Sequence, residues 1–337
     1  MAIGEVCYRA SDAVLDDRTT GGERVRREVA AFLISPMRGL TRIINGDAWR
    51  KRSTTGRQFG TPSVAMEFSA GIRGLEFENE VYDSSLGFSM QFNLEYGDRF
   101  EVKSSRPYDY FRVRADINIV NSQPLLGQLD ITGRLIAREL LEKERSHMSI
   151  GLYQHFDYYD SDTISEVSAK CPYKLGIPAS LGCGIMFRDI ERNRWVLDAY
   201  LHSNAVILGS VLSDYYQVDE RNYNLASGFS IKGGANMVFN RDKFSASLSH
   251  AYYRLFTWKG YHKYSDLDDI SYKVLDAQGD HSAASFIVTE ARCDLKLWRK
   301  FYLTLSFTHY MRSTHYRDFG HIKSSSMAAR LMLTYKL

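Results

Sequence analysis

Residues 86–97 (LGFSMQFNLEYG) alternate strictly between apolar positions and small or polar ones. The apolar positions are Leu86, Phe88, Met90, Phe92, Leu94 and Tyr96. Because successive side chains of a β-strand point to opposite faces, this pattern predicts a strand with one apolar and one polar face. A strand of this length spans ~40 Å, about twice the usual strand of a globular protein. The segment therefore indicates a long strand that separates an apolar surface from a polar one.

The same alternation recurs along residues 58–337 and predicts twelve strands in all. The other apolar runs begin at Val64, Phe111, Leu129, Met148, Leu175, Trp195, Phe229, Phe244, Cys293, Phe301 and Met327. In the sixth strand the apolar face is predicted to run from Leu175 through Ile177 to Phe187. An even number of strands with alternately short and long connections is typical of bacterial outer-membrane barrels. The predicted fold is all-β, a single up-and-down antiparallel transmembrane β-barrel of about 12 strands.

The lengths of the connections predict how the barrel is oriented. Short connections lie at residues 142–145, 189–194, 240–243 and 299–300, and residues 98–107 form a longer one at the same end. Since outer-membrane barrels have short periplasmic turns and long external loops, both termini are expected in the periplasm. Aromatic residues of the apolar faces gather beside the short turns, where an interfacial girdle is expected. These residues are Tyr96, Phe111, Phe187, Trp195, Phe239, Phe244, Phe301 and Tyr335.

Residues 1–57 follow a different pattern and are predicted to form a separate N-terminal region. Residues 1–20 lack periodicity and are interpreted as a loose lead-in. Apolar residues then recur every three or four positions, which predicts two short amphipathic helices over residues 23–34 and 36–44, with Ser35 capping the second. Their polar faces carry Arg24, Arg26, Arg27, Arg38 and Arg42. Three placements remain open: a plug or periplasmic cap of the barrel, a helix pair on the inner leaflet, or a docking element for a periplasmic protein partner.

Composition narrows the class of protein without identifying an activity. The longest apolar run, residues 29–34, is far shorter than the ~20 residues that a membrane-spanning helix requires. A net charge of +3 is too small to favour a nucleic-acid partner. The four cysteines lack metal-like spacing, so we expect no metal site and no cofactor, and Cys183 and Cys293 lie on apolar strand faces. Residues 1–20 contain no secretory signal peptide, which is expected to have been removed or to be absent.

A soluble β-protein is the main alternative fold, because alternation alone does not say which face is inside. A barrel of twelve strands with large apolar side chains inside would leave a hole that those side chains cannot fill. The polar faces also contain many small residues, among them Gly182, Gly184, Ser230 and Ser245, where a solvated surface would favour Lys and Glu. These features favour the membrane barrel over two stacked sheets.

Several longer motifs cover most of the chain from about Asp12 onward. They are SPMRGLTRIINGDAW (residues 35–49), GLYQHFDYYDSD (151–162), the pair Tyr215 and Tyr216, YNLASGFSIK (223–232), FTWKGY (256–261) and DAQGDHSAA (276–284). With these motifs the chain resembles an uncharacterised outer-membrane β-barrel family, a domain of unknown function, of Bacteroidota-type Gram-negative bacteria. The resemblance implies a bacterial outer-membrane location and supplies neither a substrate nor catalytic residues.

The polar faces of the predicted strands are expected to line the lumen. Their residues are Ser89, Gln91, Asn93, Glu95, Arg112, Arg114, Asp116, Arg134, Arg138, Glu290, Arg292 and Asp294. Neighbouring strands carry charges of both signs, which predicts ion-pair networks rather than the like charges of a selective constriction. The sequence therefore favours a narrow or plugged barrel with a structural or transport role, and a small-solute channel or porin is the alternative.

An outer-membrane hydrolase that modifies lipids is a second alternative. His155 is predicted to face inward, and Asp157 follows on the same face of the strand. A histidine beside carboxylates can act as a general base. No serine stands at a recognisable hydrolase offset from these residues, which argues against an enzyme. The long external loops are acidic, and outer-membrane lipid and lipopolysaccharide are the expected partners.

Overall fold

Three helices precede fourteen strands in the part of the chain that the computed structural model describes. That part comprises residues 2–60, 62–77, 80–100, 102, 106–119, 124–161, 171–191, 194–215, 223–240, 242–258, 260–261 and 279–337. The helices are α1 (Ala2–Val14), α2 (Gly21–Ile34) and α3 (Pro36–Ile44). The strands are β1 (Val64–Phe77), β2 (Glu80–Tyr96), β3 (Phe111–Ile119), β4 (Leu126–Glu142), β5 (Ser146–Asp160), β6 (Lys174–Glu191), β7 (Trp195–Leu212), β8 (Tyr223–Phe239), β9 (Phe244–Thr257), β10 (Gly260–Tyr261), β11 (Gly279–Asp280), β12 (Ser282–Trp298), β13 (Phe301–Tyr316) and β14 (Ile322–Lys336).

Twelve of these strands close into one antiparallel barrel, which confirms the predicted fold class. From β1 to β9 each strand pairs with the next along the chain, β9 pairs directly with β12, and β14 closes the barrel against β1. The short strands β10 and β11 form a separate parallel pair. We call the end that holds the start of β1 and the end of β14 the terminal end, and the opposite end the loop end.

The two faces of the barrel wall have opposite chemistry, as the alternation predicts. On β2, Leu86 is 78% exposed on the outer wall, and Phe88 is also exposed there. Ser89 and Gln91 of the same strand face the lumen and are buried. Because side chains alternate along every strand, the outer wall forms an apolar belt around a lumen that holds the polar residues.

Shifts in strand pairing on β4 and β6 reverse the faces that the sequence pattern predicts. The pairing of β4 with β5 shifts between Arg134 and Ile136, so that Arg138 pairs with the exposed Ile150. Paired residues share a face, so Arg138 lies exposed on the outer wall, and its predicted place in the lumen is wrong. The pairing of β6 shifts around Ala179, and Leu175 and Ile177 are therefore buried in the lumen and not on the outer wall.

The N-terminal region contains three helices, one more than predicted. Residues 2–14, interpreted from the sequence as a loose lead-in, form α1. Val6 of α1 shares one buried cluster with Tyr96, Phe111 and Ile131, which face outward from β2, β3 and β4 at the terminal end. α2 in turn packs between α1 and α3. α1 thus attaches the helical region to the outside of the barrel, which differs from a plug, one of the three placements that the sequence leaves open. None of the helices in the described ranges is long and apolar enough to cross a membrane.

Candidate functional site

A cluster of buried apolar and aromatic side chains lies in the loop-end half of the lumen, among buried polar residues such as Arg312. We call this group the loop-end cluster; its aromatic members are Tyr159, Tyr173, Tyr253, Phe286 and Tyr310, all buried. The ring centroids of Tyr173 and Tyr310 are 4.4 Å apart in a stacked arrangement, and those of Tyr159 and Phe286 are 5.4 Å apart. Aromatic pairs at such separations attract each other. The cluster therefore packs as a layer across the inside of the barrel.

Part of the connection between β2 and β3 folds back into the terminal end of the lumen, while its residue Tyr108 packs outside the barrel with Val6 of α1. We call the described residues of this connection, 97–100, 102 and 106–110, the lumen loop. Its residues Phe100 and Tyr110 are buried in a cluster with Tyr153, which faces inward from β5. The sharp return of the chain requires glycine, because Gly97 has a φ of +79° and a Cβ atom there would lie 2.0 Å from a backbone oxygen of the loop. The lumen loop, rather than the helices, therefore enters the barrel.

Two lumen arginines hold the lumen loop in place. Arg134 of β4 donates to the carboxylate of Asp109 over 2.7 Å and to the backbone oxygen of Arg99 over 3.1 Å. The guanidinium of Arg188 on β6 lies 4.1 Å from the centre of the Phe100 ring, a cation–π contact. Arg134 is almost completely buried, so its charge depends on these loop contacts.

Between the loop-end cluster and the lumen loop lies a group of polar side chains that we call the histidine cluster. It consists of Thr132, His155, Asp157, His202 and Lys232. The strand register places Thr132 opposite His155, and His202 opposite Lys232. His155 Nδ1 is 3.1 Å from Thr132 Oγ1, and His155 Nε2 is 3.0 Å from His202 Nδ1. Lys232 Nζ lies 3.4 Å from His155 Nδ1 and forms an ion pair with Asp157.

The histidine cluster lacks the geometry that a lipid hydrolase would need. Its cavity measures about 120 Å³, whereas pockets for organic ligands usually measure ~300–1,000 Å³. The carboxylate of Asp157 pairs with Lys232 and is not placed to orient the imidazole of His155, which is what the acidic member of a catalytic triad does. The arrangement thus supports a buried polar network better than a site for acyl transfer.

A larger cavity of about 250 Å³ lies at the terminal end of the lumen, and we call it the vestibule. Its charged lining residues are Glu67, Glu95, Arg99, Arg112, Arg114, Arg188, Asp198, Glu290, Arg292, Asp294 and Lys336. Arg114 pairs with Glu290 and with Asp116, the latter over 3.2 Å. Arg112 differs, since no other residue in the described ranges forms a hydrogen bond or ion pair with it. The vestibule therefore combines a paired network with one arginine that has no partner among the residues that the structure describes.

The structure places every predicted lumen residue except Arg138 on the inward face. Several of these residues bond to each other. Gln91 donates to Asp116 over 3.1 Å, and Arg292 pairs with Asp294 over 2.9 Å. The charges of both signs are thus brought together across the lumen, where each side chain satisfies part of its neighbour's hydrogen-bonding capacity.

The predicted girdle residues lie on the outer wall near the terminal end. Three pairs have ring centroids 4.6, 5.9 and 5.0 Å apart: Tyr96 with Phe111, Phe239 with Phe244, and Phe301 with Tyr335. Phe187 and Trp195 are partly buried on the same wall. Tyr96 and Phe111 are almost completely buried because α1 covers them. The helical region therefore replaces the exposed girdle over β2 and β3.

The sequence pattern points to His155 and Asp157 but not to their partners His202 and Lys232. His202 and Lys232 each stand between outward-facing residues, so strand parity alone would have placed both in the lumen. Their contact with His155 depends on the register across β5 to β8, which the sequence does not reveal. The sequence predicts the lumen loop only as a longer turn. Its two aromatic residues that are buried, Phe100 and Tyr110, are the sequence feature that could have indicated its entry into the lumen.

No three His, Cys, Asp or Glu side chains converge on a metal-sized site within the described ranges. Residues 162–170 and 216–222, which hold much of the acidic external loops, lie outside those ranges. The four cysteines are free: Cys171 is buried, Cys7 is half-buried, and Cys183 and Cys293 are exposed on the outer wall.

Comparison with solved structures matches outer-membrane porins and channels. The NanC porin is 6% identical with a TM-score of 0.35, covering 81% of this chain and 100% of that chain. The toluene transporter TodX of Pseudomonas putida is 8% identical with a TM-score of 0.29, and the match covers 81% of this chain and 89% of that chain. The outer-membrane channel DcaP of Acinetobacter baumannii is 8% identical with a TM-score of 0.30, and the match covers 82% of this chain and 97% of that chain. No family model and no curated protein matches the sequence.

Proposed function

We propose that this chain is an outer-membrane β-barrel that rests in a closed state, with a charged vestibule toward the periplasm and an aromatic layer that seals the side of the loops. The observation that carries the proposal is the loop-end cluster. Tyr159, Tyr173, Tyr253, Phe286 and Tyr310 fill the lumen where an open porin would hold water.

The outer wall supports the membrane location. Leu86, Ile72, Leu201, Ile207 and Leu248 are each more than half exposed on that wall. A continuous apolar belt of this kind is costly in water and suits hydrocarbon. Closure of the sheet also supports the location, because a membrane barrel leaves no strand edge unpaired in lipid.

The connections support the orientation. Tight turns join β4 to β5 and β8 to β9 at the terminal end, where Lys143 N donates to Ser146 O over 3.0 Å and Lys243 N donates to Phe239 O over 3.2 Å. The connections at the loop end are longer. Outer-membrane barrels have their short turns in the periplasm, so we place both termini there.

A small-solute channel is the second candidate. The vestibule and Arg112, which has no partner among the described residues, favour it, because a cationic side chain in a wet cavity can attract an anionic solute. A solute on this path would still meet the loop-end cluster. Passage would therefore require the aromatic layer to rearrange, which makes the channel a gated one.

Ion conductance across a planar bilayer tests the closed state. The key variant combines Phe286→Ala and Tyr310→Ala with a short Gly-Ser link in place of residues 99–109. A matched control truncates two outward aromatic residues, Phe229→Ala and Phe307→Ala, which are exposed on the outer wall. We expect no steady current from the wild-type protein or the control, and stepwise current from the key variant. Steady current through the wild-type protein would refute the closed state.

A further inference from the structure

The helical region, residues 2–60, holds several of its arginines inside. Arg38 pairs with Asp12 and stacks over the Tyr8 ring, with 4.3 Å from its guanidinium carbon to the ring centre. Arg42 pairs with Asp17 over 2.5 Å, and Arg24 donates to the backbone oxygen of Ala48 over 2.6 Å. All three arginines are buried. The predicted arginine face is therefore mostly an internal network and not a surface on which a partner could dock.

The apolar face of the same helices points outward. Leu33, Met37 and Ile44 are each about three-quarters exposed, and Trp49 is 72% exposed. Val25, Val29, Leu40 and Ile43 belong to the same exposed face. A helix pair in water normally shows the opposite distribution, with polar residues outside and apolar residues inside. The face therefore needs an apolar environment that the chain itself does not supply.

α1 attaches the helical region, which carries this face, to the outer wall of the barrel. α1 covers outward residues from the start of β3, Phe111, to Leu129 and Ile131 on β4. Because a strand rises ~3.3 Å per residue and is tilted, this contact reaches roughly 10 Å up the wall from its terminal end. The helical region is therefore continuous with the lipid-facing wall at the level of the aromatic girdle.

A groove on the exposed face is lined mostly by apolar residues. It measures about 270 Å³ and lies between α2 and α3, with Val29, Phe32, Ile43 and Trp49 among its lining residues. The helices approach closely at Gly39, where a Cβ atom would lie 2.7 Å from the Cα of Phe32. The exposed basic residues Arg50 and Lys51 follow Trp49 directly. Trp, Arg and Lys are the residues that anchor proteins at the headgroup level of a membrane.

We propose that the apolar face of α2 and α3 is inserted among the phospholipid acyl chains of the leaflet at the terminal end, with Arg50 and Lys51 at the phosphates. The proposal rests on the proposed membrane location of the barrel. It assigns lipid as the occupant because α1 holds the helical region against the lipid-facing wall, and because Arg24, Arg38 and Arg42 are buried inside that region and leave the exposed face apolar. The helical region then acts as an interfacial anchor beside the barrel.

Tryptophan quenching in full-length protein tests the proposal. Two single-tryptophan proteins are reconstituted into vesicles of phosphatidylethanolamine and phosphatidylglycerol that contain brominated acyl chains. One retains Trp49, with Trp195→Phe, Trp258→Phe and Trp298→Phe. The other retains Trp298, an exposed residue stacked on Phe301 in the girdle, with the other three replaced by Phe. We expect bromine to quench both residues to a comparable extent and acrylamide in the water to quench neither strongly.

The two reporters separate this proposal from the membrane location itself. Quenching of Trp298 by bromine, with Trp49 quenched only by acrylamide, would overturn the lipid occupant and leave the face for a protein partner. Absence of bromine quenching at both positions would overturn the membrane location as well.

Charge insertion gives a second measurement. Leu33→Asp with Ile44→Asp alters only exposed side chains and should strongly reduce bromine quenching of Trp49. The matched pair Ser53→Asp and Thr54→Asp, at exposed polar positions, should leave it unchanged. Equal quenching of Trp49 in both double variants would contradict insertion of the face.

Discussion

Replacement of Asp12 by Ala tests how the helical region is held together. Asp12 of α1 is buried against α3 and the segment that leads to the barrel. Its carboxylate pairs with Arg38 of α3 and accepts backbone N–H bonds from Gln58 and Phe59, each over 3.1 Å. The substitution removes all of these acceptors at once. It also leaves the Arg38 guanidinium buried, with Tyr8 O, at 2.9 Å, as its shortest remaining hydrogen-bond contact.

Removal of one partner of a buried ion pair typically costs about 3–5 kcal/mol. Because each 1.4 kcal/mol is a factor of ten, local opening of the helical region should increase by roughly a hundred-fold to several thousand-fold. Asp12→Asn should cost less, since an amide oxygen can still accept from the two backbone N–H groups. The barrel strands make their own hydrogen bonds and should be unaffected.

Amide hydrogen exchange of the reconstituted protein measures this effect region by region. Protection of α1, α2 and α3 should fall in Asp12→Ala, while protection of β6 and β7 serves as the internal reference. Asp16→Ala is the matched control, because its partner Arg18 is 58% exposed and exposed pairs contribute little. The reasoning is refuted if both alanine variants lose the same protection, or if neither loses any.

Three further substitutions probe other parts of the structure. Gly39→Val should destabilise the helical region by roughly 1–3 kcal/mol, because the added side chain would overpack against α2. Gly4 has open space around it, so Gly4→Val should act only through helix propensity. Amide hydrogen exchange of the helical region measures the loss of stability in each variant. Arg134→Ala removes a buried charge that holds the lumen loop and should lower the thermal unfolding temperature. Arg138→Ala, on the outer wall, should change that temperature little. A larger decrease for Arg138→Ala than for Arg134→Ala would contradict the bulge assignment. Burial raises the pKa of Asp280 from 3.8 to about 6, so the folded state favours its protonated form and loses stability as the pH rises from about 4 through 6. Asp280→Asn should therefore stabilise the protein by up to about 3 kcal/mol at pH 8 and by little at pH 4, and an equal effect at both pH values would contradict this.

Strand alternation was enough to predict the barrel and the chemistry of its two faces. The faces of Leu86 and Ser89 follow directly from the pattern, since a lipid-facing wall needs apolar side chains at every second position. The bulges were not predictable, because one extra residue in a strand leaves the apolar pattern nearly intact while it reverses the faces beyond it. This is why Arg138 and the pair Leu175 and Ile177 were assigned to the wrong sides.

The helix α1 was missed for a different reason. Its buried positions include Arg9, Ser11 and Asp12, which pack against polar groups of the helical region, so no apolar periodicity marks the helix. The histidine cluster shows the same limit in the lumen. Alternation along β5 is enough to predict that His155 points inward. Its contact with His202 could be predicted only from the register of strands far apart in sequence.

Ion conductance of the full-length protein, measured beside a form that begins at Arg57, tests the central claim most directly. The aromatic layer and the lumen loop lie within the barrel, and α1 lies on its outer wall. We expect no steady current from either protein, because removal of the helical region leaves both inner layers in place. Steady current through the full-length protein would contradict the closed barrel, and current that appears only in the shortened form would show that the helices close it.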